Sequence, residues 1–170
     1  MNNATRLLIA AAMCVALVAC SKKVKETPPT DNGGNTGATT GGVADDGKYG
    51  PEDLDTDSCL RQRVVYFDFD QDTLKPEFQA AIACHAKYLR DRPESRMTLD
   101  GNTDERGTRE YNHALGERRG NAVSSALLAS GGSAGQVNVV SYGEERPVCA
   151  DSTEDCWSKN RRVEIYYTAK

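Results

Sequence analysis

The sequence predicts an α+β domain of order βαβαββ, with two main helices packed on one face of a mixed four-stranded sheet. Three observations carry that expectation: short strand-like segments at 64–69, 97–101, 137–142 and 162–167, two longer stretches with apolar residues at helical spacing, and Pro or Gly at the helix ends. Helices gathered on one face are the natural way for that order to bury its apolar surface.

Residues 64–69 are apolar on both alternations, as expected of a strand covered on both faces or nearly so. Pro76 then suits the first turn of a helix, along which Phe78, Ile82, His85 or Ala86, and Leu89 fall on one side until Pro93 ends it. Residues 97–101 alternate as a short strand. The second helix runs from about Arg109 to Ser130, where Gly131-Gly132 stops it. Residues 137–142 and 162–167 read as two more strands, joined by a loop over 144–160.

In the second helix Tyr111, Leu115, Ala122, Val123, Ala126 and Leu127 define one buried face. Arg119 lies in the middle of it, four residues after Leu115 and four before Val123, and Asn112 shares the side. A guanidinium is almost never buried without a partner, because leaving one unpaired in a low-dielectric setting costs several kcal/mol. Arg119 must therefore meet an anion. An internal acid such as Asp104, Asp100 or Asp68 would serve, as would a stem buried with its head in water; the functional alternative is the carboxylate of a ligand.

Ahead of the domain the composition changes. Arg6 is followed by an apolar run too short to span a bilayer, so residues 1–19 read as a secretory signal. Leu17-Val18-Ala19-Cys20 resembles a bacterial lipobox, in which Cys20 becomes the lipidated first residue of the mature chain. Several acyl chains, at about 0.8 kcal/mol per buried CH₂, anchor stably where one does not. Ser21 stands where lipoproteins kept at the inner membrane often carry Asp, which favours the periplasmic face of the outer membrane. Residues 20–57 are rich in Gly, Thr, Pro, Asn and Asp and cannot bury enough surface to offset chain entropy; they read as a disordered tether with a span of roughly 35 Å. Lys22, Lys23 and Lys25 sit beside the anchor. The folded domain is expected over 58–170.

With 21 basic and 25 acidic residues the formal net charge is −4, which argues against nucleic acid as a partner. Of six cysteines, Cys14 leaves with the signal and Cys20 carries lipid; Cys59, Cys84, Cys149 and Cys156 remain in an oxidising compartment. Four cysteines allow three pairings. Proximity favours Cys149–Cys156, leaving Cys59–Cys84 to staple the start of the domain to the first helix, but spacing alone leaves the pairing open. No metal site is expected, since there is no Cys-x-x-Cys and only His85 and His113 are present beside the cysteines.

Catalysis finds no support either. Asp68-Phe69-Asp70-Gln71-Asp72 is not an EF-hand loop, because Thr73 stands where Gly is needed and Gln79 where Glu is needed. The Lys and paired acids of an aspartyl phosphotransferase are not visible downstream. There is no Gly-x-Ser-x-Gly, no zinc pair and no phosphate loop, and His113 falls opposite Arg119. Trp157 is expected to pack the 144–160 loop on the sheet or to stand on a rim.

Thr103-Asp104, Gly107, Tyr111-Asn112, Leu115 and Arg119 together resemble the motif of the OmpA-like peptidoglycan-binding domain family. The likeness runs from about Val64 to Tyr167 and includes the stretches 65–70, 141–147 and 158–162. It implies an OmpA-like fold and non-covalent binding of the meso-diaminopimelate of the peptidoglycan stem peptide, with no cofactor. By that resemblance Asp104 takes the ligand's ammonium and Arg119 grips its carboxylate with a planar fork that Lys cannot copy. The backbone at Phe69 and Asp70 helps hold the carboxylate, Asn112 and Leu115 floor the pocket, Gly107 permits the turn, and Thr103 and Arg106 line it. The implied partners are peptidoglycan, TolB and the other Tol proteins, and the outer membrane through the lipid anchor, in a role that draws the envelope inward at division. The same domain anchoring the wall without a Tol role is the alternative. A flagellar stator plug would need a true membrane helix ahead of the domain.

Overall fold

The computed structural model describes residues 47–170. The signal at 1–19, the lipidation site Cys20, the three lysines beside it and the tether up to residue 46 lie outside the described residues.

The elements are α1 (Asp53–Thr56), β1 (Val64–Tyr66), a 3₁₀ turn (Pro76–Phe78) leading into α2 (Gln79–Asp91), β2 (Arg96–Asn102), α3 (Arg109–Ala129), β3 (Val137–Gly143), α4 (Glu154–Asn160) and β4 (Arg162–Ala169). The sheet has four strands in the order β1-β4-β2-β3. β2 and β3 are parallel, joined by the α3 crossover, while β4 runs antiparallel to both β2 and β1. This is the mixed α+β sheet that the sequence predicts.

One face of the sheet packs against α2 and α3. Val65, Met97, Leu99, Val163 and Ile165 meet Ile82, Ala86 and Leu89 from α2 and Val123 and Leu127 from α3. Both His85 and Ala86 are fully buried, so the α2 face is broader than a single stripe. α3 lies unusually close to the sheet because glycines face glycines. A Cβ on Gly101 would stand 2.0 Å from the Gly116 carbonyl oxygen, a separation no side chain tolerates. The helix that carries Arg119 is thereby seated directly on β2 and β3.

Three local expectations need correction. β1 is only three residues long and is an edge strand, with Tyr66 40% exposed, rather than a strand covered on both faces. It stops because the chain turns away after Phe67 into a loop where Asp70 takes φ 56°, a left-handed conformation rare outside glycine. The last stretch of the expected tether, residues 47–57, is folded: Leu54 is fully buried with Leu60 and Tyr88, and Asp91 Oδ2 accepts the Tyr49 N–H at 2.9 Å. One leucine and one tyrosine suffice there because Cys59–Cys84 clamps the segment to α2. Finally, the 144–160 loop contains a helix, α4. Thr153 caps its N-terminus by accepting the Cys156 N–H, and Cys149–Cys156 closes the loop around it. Among the described residues no helix is long and apolar enough to cross a membrane.

Candidate functional site

Three chain segments converge at one end of the sheet: the loop after β1, the loop between β2 and α3 with the first turns of α3, and the turn from α4 into β4. They enclose a cavity of about 210 Å³. Phe69, Asp70, Thr103, Asp104, Arg106, Asn112, Leu115 and Arg119, the eight residues singled out in the sequence, all line it, together with Gly107, Tyr111 and Arg161.

Arg119 forms the buried wall. Its side chain is fully enclosed, yet among the described residues it makes no ion pair. Nε donates to the Gln71 carbonyl at 2.8 Å, Nη1 to that of Asn102 at 3.0 Å and Nη2 to that of Asp68 at 3.2 Å. The expected anion is therefore replaced by three carbonyl dipoles, which occupy three of the five N–H groups and tie the β1 loop to the end of β2. Burial pushes the guanidinium down to about 10, with Asp104 acting against that, so it stays charged at neutral pH. A cation neutralised only by dipoles, with donor capacity left over, is a preorganised anion site.

Asp104 is the opposite pole and is also buried. Burial alone would raise its carboxyl, but hydrogen bonds from Arg106 and Arg161 outweigh that and hold it below the ordinary carboxylate value. Arg106 Nη2 lies 2.7 Å and Arg161 Nη1 3.1 Å from Oδ2. Arg161 is itself buried; its Nε donates to the Phe67 carbonyl and its Nη2 to Glu154 on α4 at 2.6 Å.

The remaining walls set the shape. Gly107 takes φ +123°, which releases the chain into Thr108, whose hydroxyl caps α3 by accepting the Tyr111 N–H at 3.2 Å. Asn112 is buried and donates through Nδ2 to Glu144, and Leu115 closes the floor. Thr103 Oγ1 is buried with no hydrogen-bond partner among the described residues. Phe69 is 54% exposed at the rim and carries the Arg106 guanidinium 4.0 Å from its ring centroid.

Three participants were not assigned to the site from the sequence. Tyr111 has the helical phase of the α3 core face, but it lies in the first turn, beyond the sheet edge, and is 43% exposed with its hydroxyl donating to Asp70. Arg161 stands with Arg162 in a basic pair at the head of β4, local basicity suited to a carboxylate in a cleft, but nothing in the sequence assigns it to Asp104. Trp157, with its ring centroid 4.1 Å from the Arg106 guanidinium, is a rim residue.

An OmpA family domain matches residues 66–161. The chain is 46% identical over 162 residues to a peptidoglycan-associated lipoprotein of Pseudomonas putida, covering 92% of each chain. The crystal structure of the peptidoglycan-associated lipoprotein from Burkholderia pseudomallei superposes with a TM-score of 0.66 at 43% identity, over 68% of this chain and 98% of that one. A C-terminal domain of Helicobacter pylori MotB, 23% identical over 63% of this chain and 84% of that one, shares the fold with a TM-score of 0.58. The relatives of Pseudomonas putida and Pseudomonas aeruginosa are both named peptidoglycan-associated lipoproteins, a name that describes no enzyme.

Proposed function

Because this chain belongs to the OmpA family, in the branch whose relatives are peptidoglycan-associated lipoproteins, we propose that it binds peptidoglycan non-covalently through the meso-diaminopimelate of the stem peptide. The observation that carries the reading is Arg119, a fully buried cation that makes no ion pair among the described residues, lining a cavity whose other pole is Asp104. A carbon bearing both an ammonium and a carboxylate matches those two poles. The carboxylate pairs with the N–H groups that Arg119 has left, within reach of the backbone at Phe69 and Asp70, and the ammonium goes to Asp104. Thr103 offers a further hydroxyl, while Asn112 and Leu115 form the floor. Hydrogen bonds to charged groups contribute roughly 1.5 to 3 kcal/mol each, so a few of them support a micromolar to millimolar site. Many such sites on one polymer then hold by multivalency.

In this reading the folded domain includes the packed segment from Tyr49 and Leu54 onward, Cys20 carries the lipid, and the tether ahead of that segment spans the gap from the outer membrane to the wall. As part of the Tol–Pal system, with TolB as the direct partner, the protein draws the outer membrane inward during division. The lipobox and the peptidoglycan-associated relatives support the envelope location; the Tol role rests on the family resemblance alone.

The test is co-sedimentation of the purified chain with purified sacculi. It should pellet and be released by millimolar meso-diaminopimelate; failure to pellet overturns the reading. Mass spectrometry of the mature amino terminus should find acylated Cys20, and TolB should co-purify from envelopes. Absence of TolB would leave wall anchoring alone.

A further inference from the structure

The acceptor capacity of Asp104 is already full. A carboxylate offers about four lone-pair positions. Here Oδ1 accepts the Arg106 backbone N–H at 3.1 Å and its Nε at 3.2 Å, and Oδ2 accepts Arg106 Nη2 at 2.7 Å and Arg161 Nη1 at 3.1 Å. An ammonium can reach Asp104 only by displacing a donor, so the two arginines must be compared for ease of removal.

Arg161 cannot leave cheaply. Its side chain is 6% exposed and spends its other N–H groups on the Phe67 carbonyl and Glu154, so retreat would strand a buried guanidinium. Arg106 is differently placed. Its side chain is 30% exposed and stacks between two aromatic rings, Phe69 at 4.0 Å and Trp157 at 4.1 Å. Its Nη2 already stands 3.5 Å from Glu154 Oε2, an acid 60% exposed. The guanidinium can slide from one carboxylate to the next while the rings keep their hold on its faces.

We propose that Arg106 is a displaceable plug, which holds the ammonium position on Asp104 while the site is empty and passes to Glu154 when a cationic ligand group arrives. This rests on the reading of Asp104 and Arg119 given above. The plug determines specificity. A ligand must bring its own cation to open the Asp104 pole, so a bare dicarboxylate meets Arg119 but finds the other half of the cavity closed. The plug also explains why the aromatic rim and α4 stand where they do: Phe69 and Trp157 form the track, and Glu154 is the far stop.

The test uses the purified full chain and two probes, meso-diaminopimelate and pimelate, which has the same carbon chain and carboxylates but no ammonium groups. Replacing the plug by Arg106→Gln should tighten diaminopimelate binding by about fivefold, the scale of one part-exposed ion pair, and leave pimelate no tighter. Glu154→Gln, on an exposed carboxylate, removes the receiving acid and should weaken diaminopimelate binding by a similar factor. Trp157, the only tryptophan in the chain, should change its emission on ligand addition in the wild type and respond less in Arg106→Gln. If the wild type takes up sacculi and diaminopimelate but Arg106→Gln binds no tighter, the plug is overturned and the peptidoglycan reading stands. If the wild type takes up neither, the peptidoglycan reading fails and the plug with it.

Discussion

Asp104 and Arg119 line the same cavity yet form no ion pair with each other. Each is held by other partners, Arg119 by three backbone carbonyls and Asp104 by two other arginines. Two opposite charges restrained from neutralising one another leave a dipolar cavity, and a zwitterion is the ligand that complements a dipole.

Arg119 is therefore a strut and, in the proposed reading, also the partner of the ligand's carboxylate, and Arg119→Lys separates the roles. An ammonium keeps the charge but cannot reach three carbonyls set around a planar fork, so one or two lose their donor. Stability should fall by about 1 to 3 kcal/mol, read by thermal melting, and sacculus binding at a temperature where the variant is fully folded should be nearly abolished. Binding that survives the melting loss would make the guanidinium a strut only.

Asp104→Asn removes the charge that neutralises Arg106 and Arg161. The carboxyl is held below its ordinary value, so the fold binds fewer protons there than the unfolded chain. Its contribution is present above the unfolded pKa and is lost as pH falls through the lower folded one. At neutral pH the variant should be about 2 kcal/mol less stable. Denaturant curves of wild type and variant should converge as the solution is acidified below the usual carboxylate range.

How much of this was legible follows from where the interactions lie in the chain. Asn112, Leu115 and Arg119 fall within the first three turns of α3, so helical phase places them together, while Asp104, in the loop just before the helix, is placed with them by the family motif. The same phase misplaces Tyr111, because periodicity says which side of a helix a residue occupies but not whether the sheet extends beneath it. Arg161 reaches Asp104 across 57 residues of sequence; the Arg161-Arg162 pair marks a basic spot, but nothing local ties it to Asp104. α1 and α4 are helices of four and seven residues, too short to show a period; a disulfide at Cys59 follows α1, and one at Cys156 lies within α4. β1 reads as a covered strand because its apolar residues serve two purposes: Val65 and Phe67 enter the core, while Phe69 goes to the rim of the cavity.

His85 makes stability depend on pH away from the cavity. It is fully enclosed, donates from Nε2 to the Gln62 carbonyl at 3.1 Å and accepts the Tyr167 hydroxyl at Nδ1 at 2.8 Å, an arrangement that requires the neutral ring. Burial is the main cause of its pKa being lowered to about 4. The unfolded chain, with an ordinary histidine, binds the proton first, so stability is complete above about pH 6.5 and declines as pH falls toward 4. The full loss is about 3 kcal/mol. His85→Gln should flatten the stability curve between pH 6.5 and 4, after a constant penalty for the imperfect replacement.

The seating of α3 on the sheet can be tested without touching the cavity, because two glycine contacts differ in what they meet. A Cβ on Gly120 would stand 2.5 Å from Val139 Cγ1, with its next neighbours at 3.7 Å, so a single methyl group is the obstacle. On Gly101 the obstacle is the Gly116 carbonyl oxygen at 2.0 Å, and a backbone atom moves only if the helix moves. Gly120→Ala should cost about 2 kcal/mol, and adding Val139→Ala, which removes that methyl group, should cost less than the two single changes summed. Gly101→Ala should cost at least about 3 kcal/mol, with no side-chain change to relieve it. Since it pushes away the helix bearing Asn112 and Arg119, it should also lower sacculus binding in the fraction that remains folded, whereas the Gly120 and Val139 double variant should bind as the wild type does. Equal binding by Gly101→Ala would mean that the cavity tolerates displacement of α3, and the close glycine packing would then serve stability alone.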